Sequence, residues 1–191
     1  LRGIGGSIER SERGWRDVAL EGRLPSGAPV RLTLTPDDAG PAVRLVTDDA
    51  GGLLSALDAD TRYAAGGTFR LEARLLAETP GLVAEGQLAL RDYTLEQAPV
   101  LARLLTVASL TGIANLLQGK GIRFDRARIE FRLEPDVLKL DNGRAVGSQL
   151  GITLQGEIAR PESRLKLDGT VVPAYTINRI LGAVPIVGWL L

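Results

Sequence analysis

The chain has 191 residues, balances 23 Lys+Arg against 23 Asp+Glu, and contains no histidine, cysteine or methionine. Those absences remove the commonest general base at neutral pH, the thiolate nucleophile and every imidazole or soft-sulfur metal ligand, so zinc, haem and iron–sulfur chemistry are excluded and no cofactor is expected. Zero net charge supplies no long-range field toward nucleic acid or an anionic surface, and the length suffices for one substantial domain or two small ones.

The chain opens on Leu1 amid strand-like sequence and stops at Leu191 within an apolar run, so it reads as a piece of a longer polypeptide. Its dominant pattern is period-2 alternation, the signature of strands with one apolar face. Val18, Leu20 and Leu24 share a face with Gly22, while Asp17, Ala19, Glu21 and Arg23 point the other way. Val30, Leu32 and Leu34 repeat the pattern, and Val43 and Leu45 follow beyond the turn-prone PDDAGP at 36–41, so the first third reads as a meander. Over 48–60, Leu53, Leu54 and Leu57 fall at helical spacing, with Asp48 or Asp49 placed to cap the first turn. A hairpin follows, with Phe69, Leu71, Ala73 and Leu75 in one arm, Leu82, Ala84, Leu88 and Leu90 in the other, and a turn at Thr79, Pro80 and Gly81.

From 96 to 118 the period becomes helical and nearly every side is apolar. Arg103 is the single charge in 98–117, and Thr106, Ser109, Thr111 and Asn115 add polar load. A helix buried against the sheet fits this better than a membrane span; a lid or membrane-interface helix is the alternative. Four further strands are predicted at 122–134, 137–146, 149–159 and 163–172, with a parity change near Asp125 that calls for a bulge or bend. A last helix is expected over 175–181, just after Pro173. The pattern gives eight or nine strands in two similar halves, 1–95 and 96–191, within a single module.

An aliphatic sheet face left wet forfeits roughly 25 cal/mol for each Å² of apolar surface, so something must cover it. An ordinary closed core and an open groove produce the same alternation. Aromatics make up only 4% of the residues and the inward positions are Leu, Val, Ile, Ala and Gly, a lining that suits acyl chains as well as an aliphatic core.

Chemistry-bearing clusters are few. The acid pairs Asp37 and Asp38, Asp48 and Asp49, and Asp58 and Asp60 lie in turns or at a helix start, and none has the ligand spacing of a calcium loop, so no metal is expected. Serine has no histidine to activate it, and Lys120, Lys139 and Lys166 pair with none of the serines in sequence. QGKG at 118–121 lacks phosphate-loop spacing and leads into a strand, so it reads as a helix end and turn. With those three lysines set aside the basic residues are arginine, and an alternation such as Arg70, Glu72 and Arg74 predicts solvated cross-strand pairing.

Two stretches, LTGIANLLQGKGIRFD at 110–125 and GTVVPAYTINRILGAVPIVG at 169–188, resemble the C-terminal region of AsmA-like proteins of the YhdP and TamB kind, and DDAGGLLSALDADTRYAAGGTFRLEARL at 48–75 extends the likeness more loosely. The resemblance implies a curved antiparallel amphipathic sheet forming an apolar groove, mainly β and partly covered by short helices. It implies a non-enzymatic lipid conduit in a Gram-negative cell envelope. Phospholipid would pass between inner and outer membranes, and the module would sit in the periplasm as part of a protein anchored in the inner membrane by segments outside this chain. Envelope proteins are expected as partners, and nucleic acid is not. No catalytic residues carry over. Leu71, Leu88, Ile129, Leu154 and Leu167 represent the expected groove lining, and Arg103 and Arg179, beside the apolar helices, the expected contacts to phospholipid headgroups. The alternative is a scaffold or chaperone for outer-membrane protein assembly that pairs an exposed sheet edge with a client strand.

Overall fold

The computed structural model describes residues 2–11, 14–57, 64–76, 81–96, 121–159 and 164–173. In chain order these form β1 (Arg2–Ser11), β2 (Gly14–Arg23), β3 (Pro29–Thr35), β4 (Ala42–Thr47), α1 (Ala50–Leu57), β5 (Ala64–Ala65), β6 (Thr68–Leu75), β7 (Ala84–Leu95), β8 (Ile122–Leu133), β9 (Val137–Val146), β10 (Leu150–Ala159) and β11 (Arg164–Pro173). All the strands belong to one antiparallel sheet ordered β1-β2-β3-β4-β6-β7-β8-β9-β10-β11, with the short β5 paired to β7. Apart from β5, spatial order therefore follows chain order, as in a long meander.

The fold class is the expected one, a mainly-β open amphipathic sheet with partial helical cover. The eleven strands exceed the eight or nine read from alternation, because the glycine-rich β1 and the two-residue β5 carry too little aliphatic signal to be counted. The four strands after residue 121 begin and end within one or two residues of their predicted bounds. Between the two predicted halves the sheet is continuous, since β7 pairs with β8 from Ala84 opposite Leu133 to Leu95 opposite Ile122. Of the helix expected over 96–118 all but residue 96 lies outside the described residues, as does the one expected over 175–181, and with them Arg103 and Arg179.

The predicted first helix exists as α1, starting two residues after the 48–60 window opens, while 58–60 lie outside the described residues. Asp49 caps it: its carboxylate accepts the Gly52 amide at 2.8 Å and its carbonyl the Leu53 amide at 3.0 Å. Ser26 Oγ donates to the other carboxylate oxygen and ties the cap to the β2–β3 turn. An eight-residue helix with two glycines is not stable alone. It is held by burial of Ala50 and Leu53 against Leu24, Val30 and Phe69, and by close approach to β5, where a Cβ on Gly51 would lie 2.5 Å from the Ala64 carbonyl oxygen.

The parity change near Asp125 is present, and the facing strand matches it. Leu90 pairs with Ala127 and Tyr93 with Phe124 in unbroken register, while Asp92, at φ 52°, stands opposite the Asp125 region. Both strands take an extra residue at the same level, so Tyr93 and Phe124 stay on the aliphatic side with Leu90 and Ala127. A second irregularity sits in β9, where Asn142 has φ 50° and the register slips against both β8 and β10.

Candidate functional site

Cross-strand register assembles the aliphatic positions into rows that run across the sheet. One row reads Gly6, Leu20, Leu32, Leu45, Leu71, Leu88 and Ile129 from β1 to β8, each opposite the next. It continues through Gly143 to Leu154 and Gly169 on β9, β10 and β11. Ile129 meets Gly143 across the β9 bulge: a Cβ on that glycine would lie 3.0 Å from Ile129 Cδ1 and 2.6 Å from the Leu154 carbonyl oxygen. Glycine is needed at 143 because the neighbouring strand leaves no room for a side chain.

Four of the five expected lining residues, Leu71, Leu88, Ile129 and Leu154, therefore stand in a single row. Leu167 occupies the adjacent row, opposite Gly156. All five are half-buried. That adjacent row also carries Val18, Leu34, Val43, Ala73, Phe131 and Leu140 on the preceding strands. No charged side chain interrupts either row.

At one end the face is sealed. Beneath α1, Leu24, Val30, Leu53 and Phe69 form one cluster, and next to it Ala64, Tyr93, Ile122, Phe124 and Leu150 form another, with Leu90 packing on both. The Tyr93 and Phe124 rings stack with centroids 5.4 Å apart at 13°. Burial disfavours the phenolate and pushes the Tyr93 hydroxyl pKa up to about 12. The strand ends Leu95, Ile122 and Pro173 all lie at this end.

Between the sealed end and the open rows lies a hollow of about 220 Å³, walled by Leu88, Leu90, Ile129, Ile152 and Leu154 over a floor that includes Gly143. Its lining is almost wholly apolar. Sequence reading missed it, because its depth comes from Ala127, Gly143 and Ala145, which lie side by side only once the β9 bulge has set the register. The signal available in sequence was the Asn142–Gly143 pair, a turn-like dipeptide inside an otherwise regular strand.

The acid pairs behave as caps and turns. Asp37 accepts the Ala39 amide at 2.9 Å and Arg74 at 3.2 Å, and these bonds, the backbone one first, hold its carboxyl below the ordinary aspartate range. Glu134 is likewise held low, chiefly by the Lys139 ammonium at 3.0 Å and then by Arg132. No group of three or more acidic residues placed to hold a metal ion occurs among the described residues, and Asp58 and Asp60 lie outside them. No helix among the described residues is long and apolar enough to cross a membrane.

The polar face departs from simple alternate pairing. Arg31 binds Glu21 at 2.6 Å, Arg44 reaches Glu72 at 3.6 Å, and Arg132 bridges Glu85 and Glu134. Within the Arg70, Glu72 and Arg74 alternation, Glu72 pairs across the strands with Arg44 and Arg74 pairs with Asp37, while Arg70 makes no ion pair among the described residues; the same holds for Arg91, Arg126, Arg128 and Arg144.

No protein-family model matches the chain, and no curated protein or solved structure matches it.

Proposed function

We propose that this chain is a lipid-conduit module of the AsmA-like kind, without enzymatic activity, that carries phospholipid acyl chains along its aliphatic face between the inner and outer membranes of a Gram-negative envelope. The observation that carries the reading is the aliphatic row from Leu20 to Leu154, broken only by Gly143, half-buried across the sheet and free of charge. A phospholipid tail laid along it would leave water at roughly 0.8 kcal/mol per methylene, while the headgroup stays in solvent beyond the strand ends. The AsmA-like resemblance of 110–125 and 169–188 supports the same reading and adds the periplasmic, inner-membrane-anchored setting. Leu71, Leu88, Ile129, Leu154 and Leu167 are the proposed lining, and Arg103 and Arg179 the proposed headgroup contacts.

The test places a photo-crosslinking residue at Leu71, Leu88 and Leu154 in turn, with Arg70 and Glu72 as opposite-face controls, in the protein expressed in a Gram-negative envelope. Phospholipid adducts at the three leucines and none at the controls are expected. Silence at all three in folded protein would reject the conduit.

A second reading, a scaffold that takes a client strand by edge pairing, is favoured by one observation. Among the described residues β1 and β11 are the sheet edges, and they differ. β1 carries two register shifts and a Gly3 at φ 59°, irregularities that discourage further pairing. β11 pairs with β10 from Leu150 opposite Pro173 to Ala159 opposite Arg164 without a slip, so its outer edge is regular. Proline at Lys166 or Asp168 would abolish scaffold function and leave crosslinking at Leu88 intact.

A further inference from the structure

We infer that the polar face carries a docking surface for an anionic phospholipid bilayer, centred on Arg70, Arg91, Arg126, Arg128 and Arg144. This surface is separate from the aliphatic rows and does not rest on the conduit reading. Register places the five in two neighbouring rows: Arg91 opposite Arg126, and Arg70, Ala89, Arg128 and Arg144 in succession. They span four adjacent strands, about 14 Å across at the usual strand spacing. All five are exposed and none makes an ion pair among the described residues. The zero net charge of the chain conceals this grouping, and the acids Glu72, Glu130 and Asp141 stand in the next row on the same face.

Two contacts within the array oppose folding. Arg91 faces Arg126 and Arg128 faces Arg144 directly across paired strands, and like charges in that position are destabilising. Of the acids nearby, Asp92 lies 3.8 Å from Arg123, Glu72 pairs with Arg44, and Glu130 accepts Asn142 Nδ2 at 2.9 Å; Asp125 and Asp141 are exposed and form no ion pair with any of the five among the described residues. An external anion relieves the repulsion that the chain itself leaves standing.

The kind of anion follows from what surrounds the guanidiniums. Single-stranded nucleic acid needs aromatic platforms for its bases, and a tight protein interface centres on buried aromatic anchors. The array contains neither: Ala89 and Val146 fill the positions between the arginines, and the nearest rings, Tyr93 and Phe124, are turned to the other face and buried. A two-dimensional spread of planar, bidentate donors on an open sheet face matches a two-dimensional layer of lipid phosphates.

Binding of the protein to vesicles of phosphatidylcholine, and to vesicles made in equal parts of phosphatidylglycerol and phosphatidylcholine, tests this by co-sedimentation at low salt. Binding to the anionic vesicles alone is expected, with release in about 1 M salt, where the Debye length falls to about 3 Å. Each of R126Q and R128Q should weaken it about fivefold, and the double variant about 25-fold. R31Q and R132Q, which alter arginines already paired, should leave binding unchanged. Because R126Q and R128Q each remove a like-charge contact, their melting temperatures should not fall, so a loss of binding cannot be a loss of folding. Equal binding to neutral vesicles, or full retention by the double variant, would overturn the proposal. Displacement of the vesicles by polyglutamate at equal charge would overturn it in favour of an acidic peptide partner.

Discussion

Two regions of the aliphatic face carry the same alternating pattern and meet different fates. At the α1 end, Phe69, Tyr93, Phe124 and Leu150 are sealed, with exposures of 7% or less. Farther along the same strands, Leu71, Leu88 and Ile152 continue the face only half-buried. The strands are continuous and the side chains equally apolar, so the difference lies in what stands above them. Alternation determines which way a side chain points; a covering element determines whether water reaches it.

The sharpest way to break this comparison is to truncate one residue in each region. Phe124→Ala removes a fully enclosed ring and its stacking on Tyr93, and should cost about 3–5 kcal/mol in urea unfolding. Alkaline titration probes the same seal. The folded Tyr93 pKa, about 12, lies above the unfolded value near 10, so the protonated ring contributes stability that is fully present below pH 10 and drains away as pH rises toward 12. The phenolate difference spectrum between the protein and its Tyr93→Phe variant should have its midpoint near 12, and a midpoint near 10 would mean the aromatic end is open to water.

Leu88→Ala on the open row should cost only about 1 kcal/mol, near half the transfer energy of a fully buried leucine. A loss equal to that of Phe124→Ala would show the open row to be as closed as the sealed end. The cover itself is tested by Asp49→Ala, which deletes the carboxylate that caps α1 and should lower stability by about 0.5–1 kcal/mol. That change should also raise amide exchange at Leu53 while leaving exchange in β9 and β10 unaltered.

Much of the sheet was legible from one chain. The four strands from Ile122 onward, the α1 cap at Asp49 and the parity change near Asp125 follow from period, turn residues and alternation, all local properties. Register was not legible, and both features of most functional interest depend on it. Leu71, Leu88, Ile129 and Leu154 are apolar positions in sequence, but their alignment into one row requires knowing how far each hairpin slides. Arg70 shows the same limit from the other face. The alternation of Arg70, Glu72 and Arg74 predicted cross-strand pairing, and register supplies it to Glu72, opposite Arg44 on β4, but leaves Arg70 opposite Val46 and Ala89. The β9 bulge at Asn142 has the further effect of sinking Gly143 beneath Ile129, a close approach between strands that no local pattern announces.

Agreement between spatial and chain order has a consequence for how such a molecule is made. Each strand from β2 onward on the main path docks on the strand that precedes it, and the first four strands, joined by short turns, can zip one hairpin after another without waiting for the far end of the chain. Loop-closure entropy is kept low at those steps, which favours growth from one end during synthesis. The same order makes strand number a ruler. Adding or deleting one hairpin changes the sheet's width by about 10 Å and preserves which face is aliphatic, whereas an odd strand would send the next segment in the reverse direction.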